Sequence, residues 1–280
     1  MSAPPLRVAR HDSPLGRWEM TARDALPGYG PHVLRYVGYH ESSPGPFRRV
    51  EVPTGEVHVI ISFGPEIRTP APARSFVAAP HDEHAVTEHD GEQHGVELQL
   101  TPLGTRMLLG VPMHELAGHV VPLEDVLGRE ADELTERLVE APGWEARFAL
   151  LDDIIARRLD AAAPLDGAVE HAWRRLVASH GDVPVATLAR DVGFSRRHLL
   201  HRFRDHVGLG PKAFARILRF RRATRLLLRP GGPSLSEVAL GCGYFDQAHL
   251  NRDFRAFAGC TPTELLARRL PDEGGFTAGG

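Results

Sequence analysis

Gly193-Phe194-Ser195, followed by Leu199, Phe203, Gly208 and Pro211, is answered about 50 residues later by Gly243-Tyr244-Phe245, followed by Leu250, Phe254, Gly259 and Pro262. The residues ahead of each triplet match too: Leu188, Ala189 and Val192 against Val238, Ala239 and Cys242. Each copy has the pattern of a short helix, a turn containing glycine and a longer helix. Two such copies in tandem are expected to be two helix-turn-helix units. Double-stranded DNA is therefore the first partner to consider.

In the first copy Pro184 suits a helix start, where its missing N–H costs nothing. Leu188, Ala189 and Val192 should face inward. Gly193 permits the turn, and Ser195 is placed to cap the next helix by accepting a free backbone N–H. Leu199 and Phe203 hold that helix to a core. Arg196 begins it, and Arg197, Leu200, His201 and Arg204 follow i, i+3, i+4, i+7 on the opposite face. That face is assigned to the major groove, with Arg197 bidentate to guanine, His201 donating to a base or phosphate, and Leu200 against a thymine methyl. In the second copy Ser234-Leu235-Ser236-Glu237 is a capping box and Asp246 the next N-cap. Leu250 and Phe254 are the buried pair. Gln247, Ala248, Asn251, Arg252 and Arg255 form the outer face, with Gln and Asn suited to adenine and Arg to guanine. Arg204 and Arg255 are expected on phosphates or simply solvated. Between the copies, residues 211–228 should form one long helix with arginines at 216, 219, 221, 222 and 225, set to touch phosphate or simply to stay solvated. A rigid connector of that kind would fix two reading helices, which lie about 34 Å apart on one face of straight B-DNA and closer on bent DNA.

The charge distribution supports a polyanion partner. The net charge is −3 over 280 residues. Residues 166–270, however, hold 18 basic against 9 acidic residues, and residues 1–165 hold 15 against 25. Basic residues gathered in one half are the footprint of a chain that displaces counterions from phosphates. Hydrophobic content of 42% and charged content of 25% are those of an ordinary globular protein. No apolar run is long enough to span a bilayer, and the first 12 residues lack the apolar core of a signal peptide. Two cysteines, Cys242 and Cys260, suit a reducing compartment. The expectation is a cytoplasmic protein with no membrane partner.

The rest of the chain changes texture twice. Residues 1–45 are rich in Pro, Gly and His and are expected to be an irregular arm or short strands. Val57–Phe63, Arg74–Ala78 and Gly95–Leu100 look like strands, the last with Val96, Leu98 and Leu100 alternating to one face. The intervening Pro80–His94 has the composition of a polar loop. Past Pro102 the pattern becomes helical, with segments at 106–109, 130–140 and 144–159. Trp144, Phe148, Leu151, Ile155 and Leu159 recur at steps of three and four, a stripe that serves either to pack its own domain or to dimerise. Residues 161–167 are a candidate linker. The expected fold is α+β in two domains. Residues 1–165 form a β-rich domain followed by helices, 168–270 an all-α domain with the two helix-turn-helix units, and 271–280 a disordered tail.

With Val238 to Leu250, then Arg252, Phe254, Gly259, Thr261 and Pro262, the second copy resembles the signature of the AraC/XylS transcription regulators. Leu188-Ala189, Gly193-Phe194-Ser195, Leu199, Phe203 and Gly208 extend the resemblance to the first copy. Leu200 departs from it, standing where many relatives carry a polar residue. The resemblance implies a DNA-binding transcription regulator, more often an activator that contacts RNA polymerase. It also implies a small-molecule effector and a homodimer. The N-terminal half is similar, more distantly, to the cupin-like sensor domain of such regulators, through Gly95–Leu100, Pro102-Leu103-Gly104 and Leu108–Pro112.

Three rivals were weighed against this reading. A metal-binding cupin-like sensor or enzyme would use His81, His84, His89 and His94 with Glu83, Glu88 and Glu97, but their spacing fits no tight ligand motif. No metal and no cofactor are therefore expected. A methyl-accepting DNA-repair sensor needs thiolates in the N-terminal half, and no cysteine precedes Cys242. A purely architectural DNA binder leaves the acidic half without a role. No Ser/His/Asp set, phosphate-binding Gly loop or paired carboxylates stand out, so an enzyme is not expected.

Overall fold

β-branched and aromatic residues at alternating positions build the first half of the chain. The computed structural model describes residues 3–272 and 274–278. There β1 (Arg7–Ser13), β2 (Gly16–Asp24), β3 (Val33–Glu51), β4 (Val57–Ser62), β5 (Phe76–Ala78) and β6 (Ala85–Leu100) precede α1 (Pro102–Leu109) and α2 (Met113–Leu116). A last strand, β7 (Val120–Pro122), leads to α3 (Leu123–Leu127), α4 (Glu130–Glu140) and α5 (Trp144–Ala161). The described strands form one antiparallel sheet in the order β1-β2-β3-β6-β4-β5-β7.

Register explains the core. Val57, Val59 and Ile61 lie opposite Leu100, Leu98 and Val96, so one face of the sheet is apolar. Phe148, Leu151 and Ile155 of α5 and Leu138 of α4 pack on it, as the period-two pattern requires. Gly38 is needed at this contact, because a Cβ there would lie 2.4 Å from the Trp144 ring. A buried ion pair ties the same layers together: Arg23 on β2 reaches Asp152 on α5 at 2.5 Å. Tyr36 Oη donates to the other oxygen of that carboxylate at 2.7 Å.

Residues 1–45 are more regular than an arm: they hold β1, β2 and the start of β3. Pro44 and Pro46 fall at a register shift between Ser42 and Pro46, where a bulge tolerates proline. Pro80–His94 is likewise a loop only over its first five residues, because Ala85 opens β6. Its polar residues are held by ladder bonds and cross-strand charge, as in Arg48–Glu88 at 3.2 Å. Hydropathy carries no trace of that kind of stabilisation.

The second half is helical: α6 (Gly167–Ala178), α7 (Val185–Asp191), α8 (Arg196–Val207), α9 (Pro211–Leu227), α10 (Leu235–Gly241), α11 (Gln247–Ala258) and α12 (Pro262–Ala267). α9 runs through two cores. Phe214 and Leu218 pack with Leu199 and Phe203 of α8, and Ile217 and Phe220 pack with Leu250 and Phe254 of α11. Of the Gly-rich end expected to be disordered, Glu273, Gly279 and Gly280 lie outside the described residues, and the described part packs on the first half. Leu270 is buried with Trp18 and Met20, Arg49 Nε donates to Gly274 O at 2.9 Å, and Val50 N donates to Phe276 O at 3.0 Å. The edge of β3 offers unpaired backbone groups, and the tail satisfies them.

Candidate nucleic-acid interface

The two repeats fold alike down to single hydrogen bonds. Phe194 N donates to Ala189 O at 2.8 Å, and Tyr244 N donates to Ala239 O at 2.9 Å. Gly193 at φ 70° and Gly243 at φ 75° take the left-handed conformation each turn requires. Ser195 Oγ then accepts His198 N at 3.1 Å, and Asp246 Oδ1 accepts His249 N at 2.7 Å. Ser234 and Glu237 close the expected capping box at the start of α10, and the hydrogen bonds from Ser234 hold the Glu237 carboxyl below its ordinary pKa. Each turn aromatic meets a histidine edge-on: Phe194 with His198 at 4.4 Å and Tyr244 with His249 at 5.2 Å. The partner lies one residue further along in the second copy, which matches its one extra residue before the buried pair.

Leu188, Ala189, Leu199, Phe203, Val238, Ala239, Leu250 and Phe254 are all buried, which fixes the opposite faces of α8 and α11 outward. Ser195, Arg196, Arg197, Leu200, His201 and Arg204 are exposed, as are Gln247, Ala248, Arg252 and Arg255. Asn251 differs. It is half-buried, and its Oδ1 is enclosed without a hydrogen-bond partner. Bidentate reading of adenine needs both amide atoms to reach the base, which would require the Asn251 side chain to turn outward on binding. Gln247 is exposed, with Oε1 accepting from Ser236 Oγ at 3.2 Å.

Electrostatics separates the arginines into two sets. Among the described residues, Arg175 pairs with Asp191, Arg202 with Asp166 and Arg216 with Asp253. Arg196, Arg197, Arg204, Arg252 and Arg255 have no acidic partner within ion-pair distance among the described residues. The outward faces of α8 and α11 thus carry five open guanidiniums, and Arg222 and Arg225 of α9 are likewise without an ion pair among the described residues. The connector arginines are mostly occupied: Arg221 pairs with Glu56 at 2.5 Å, and Arg219 donates to Gly243 O at 3.4 Å. Long-range partners of this kind leave no mark in the periodicity of α9.

Two residues of this surface went unread in the sequence. Phe245 is 86% and Leu240 70% exposed, flanking the second turn. The signal was Tyr244-Phe245 itself: of two adjacent aromatics beside one turn, only one can enter the core, and Tyr244 does. The histidines considered for a metal are dispersed. His89 lies 3.4 Å from Glu41, His94 stands edge-on to His40, and His84 approaches Gly259. No group of three or more His, Cys, Asp or Glu that could hold a metal ion occurs among the described residues. No helix among them is long and apolar enough to cross a membrane.

A helix-turn-helix domain family matches residues 188–268. The HTH-type transcriptional regulator GlxA of Rhizobium meliloti (strain 1021) is 27% identical over 195 residues, covering 67% of this chain and 58% of that protein. The arabinose operon regulatory protein of Escherichia coli (strain K12) is 26% identical over 149 residues, covering 48% and 50%. The chain thus spans between half and three-fifths of the length of these curated relatives. Among solved structures, the DNA-binding domain of AdpA in complex with a target DNA is 31% identical, with 36% of this chain and 90% of that chain covered and a TM-score of 0.33. Residues 188–268 are a helix-turn-helix domain.

Proposed function

We propose that the protein is a sequence-specific DNA-binding transcription regulator of the AraC type, acting by binding rather than by catalysis. In this reading residues 168–270 are the DNA-binding domain. Its two helix-turn-helix units place α8 and α11 in neighbouring major-groove segments. Residues 1–165 are a cupin-like domain that senses a small molecule and contributes to a homodimer. In this reading the regulator works in the cytoplasm, more often as an activator through contact with RNA polymerase, as the resemblance to AraC/XylS regulators implies.

The observation that carries the reading is the sorting of arginines. Arg202 and Arg216, turned toward the body of the domain, are neutralised by carboxylates, whereas the five arginines on the outer faces of α8 and α11 have no ion pair among the described residues. A face that presents open guanidiniums on two equivalent helices suits phosphate and base contacts. Arg197 and Arg252 are assigned to bases, and Arg204 and Arg255 to phosphates. The test is selection of duplexes from a random pool by the full chain. Enrichment of one motif that binds about a thousandfold above bulk competitor supports the proposal. A pool that stays random after selection contradicts it.

A further inference from the structure

We infer that the cleft between α4 and α5 is a binding site for a small apolar carboxylic acid. This rests on the reading of residues 1–165 as a ligand-sensing domain and names the site and the class of ligand. The cleft holds about 650 Å³, within the range of small-molecule sites. Its floor is the apolar face of the sheet, Val59, Ile61, Leu98 and Leu100, and Leu134 and Ile154 wall it from the two helices. The floor offers no hydrogen-bonding side chain, so a polyol would lose its water bonds without replacement. An apolar body would lose nothing.

Charge is confined to the mouth. Arg158 is already engaged there, with Glu130 and with Leu108 O. Arg137 and Arg157 are exposed and have no ion pair among the described residues. Two open guanidiniums above an aliphatic floor suit one planar carboxylate. Glu133, an unpaired carboxylate that also lines the cleft, disfavours a more highly charged head.

The same geometry carries occupancy to the DNA-binding half. Leu108 and Leu109 of α1 line the cleft. On the same helix Leu103 lies in the core shared with Leu199 and Phe203 of α8. Arg106 holds Asp205 of α8, Nη2 to the carboxylate at 3.2 Å and Nη1 to the backbone oxygen at 3.3 Å. α1 is closed at both ends, by Thr101 accepting Gly104 N and by Gly110 in the left-handed conformation. It is therefore built to move as a unit, and a ligand that displaces it displaces α8.

Titration calorimetry of the full chain with decanoate and with adamantane-1-carboxylate, each beside its matched alcohol, tests the site. At least one acid should bind saturably, one per chain, and about tenfold more tightly than its alcohol. Ile154→Trp, which fills the cleft, should weaken it by about tenfold. Arg137→Gln with Arg157→Gln, both at the surface, should erase the preference for acid over alcohol while leaving the melting temperature in place. Absence of saturable binding, or binding that Ile154→Trp leaves intact, overturns the site. Equal affinity for acid and alcohol, or a preference that survives the double arginine variant, overturns the ligand class. Bound acid should also change affinity for a selected duplex by about fivefold, and Arg106→Ala should abolish that change; a change that persists overturns the route through α1. Calorimetry is done without DNA, so its failure leaves the DNA-binding reading standing, and failure to select a duplex leaves the cleft standing.

Discussion

Arg216 on α9 donates to Asp253 on α11 at 2.7 Å, from behind the outer face of α11. Asp253 is 3% exposed, and the guanidinium also lies over the Phe257 ring at 4.9 Å. The connector therefore grips the second outward-facing helix with a charge as well as an apolar seam. Arg216→Ala should cost about 2 kcal/mol in urea unfolding, below the value for a fully buried pair because Arg216 is itself partly exposed. Arg225→Ala, at an exposed position without an ion pair among the described residues, should change stability by less than about 0.5 kcal/mol. If Arg225 meets a phosphate, the same variant lowers the salt slope of DNA binding by about one. Equal destabilisation by both variants would contradict the division of roles.

Arg197 and Arg252 project from equivalent faces of α8 and α11 without acidic partners. Alanine at either should relax preference at one base pair of the selected site, by about 1–3 kcal/mol. The check is competition binding against a set of single-base variants of that site. Loss spread evenly over all of them would reassign the residue to a phosphate.

Ser195 and Ser234 each accept a backbone N–H at a helix start. Ser195→Ala and Ser234→Ala should each lower stability by about 1 kcal/mol, and the glycine variants by less. Chemical denaturation of the four variants measures this. Alanine and glycine variants of equal stability would show that the caps contribute nothing.

His58 lies 2.5 Å from Glu97. Burial works to lower its pKa, but the hydrogen bond and charge of Glu97 outweigh it, and His58 is held above its ordinary 6.5. The stabilisation is therefore complete below pH 6.5 and is lost as pH rises through the elevated value. His32, His81, His94 and His206 have pKa values lowered chiefly by burial, so they act on the acid side of 6.5. The melting temperature should fall as pH rises above 6.5, and His58→Gln should flatten that limb. A limb unchanged in the variant would contradict the assignment.

The repeat made α7, α8, α10 and α11 legible because each landmark has a local cause: glycine at a left-handed turn, an oxygen at the cap, an aliphatic–aromatic pair four apart. The outward faces followed from the inward ones. The partial burial of Asn251 escaped because it depends on tertiary neighbours and not on its place in the helical period. Arg216 and Arg221 escaped for the same reason, their partners Asp253 and Glu56 lying 37 and 165 residues away in the chain. In the first half, Val96, Leu98 and Leu100 betrayed their strand by alternation. The start of β6 carries cross-strand charge instead of alternating apolar residues, and so had the composition of a loop. The short helix expected at 106–109 is longer, starting at Pro102. Nothing in its eight residues reveals that Leu103 and Leu108 belong to different cores.

Hydroxyl-radical footprinting of the full chain on its selected duplex tests the central claim most directly. Two helices reading neighbouring major-groove segments should protect two patches on one face of the duplex, about one helical turn apart. Arg197→Ala should weaken one patch and Arg252→Ala the other. A single patch, or uniform protection without register, would contradict the account.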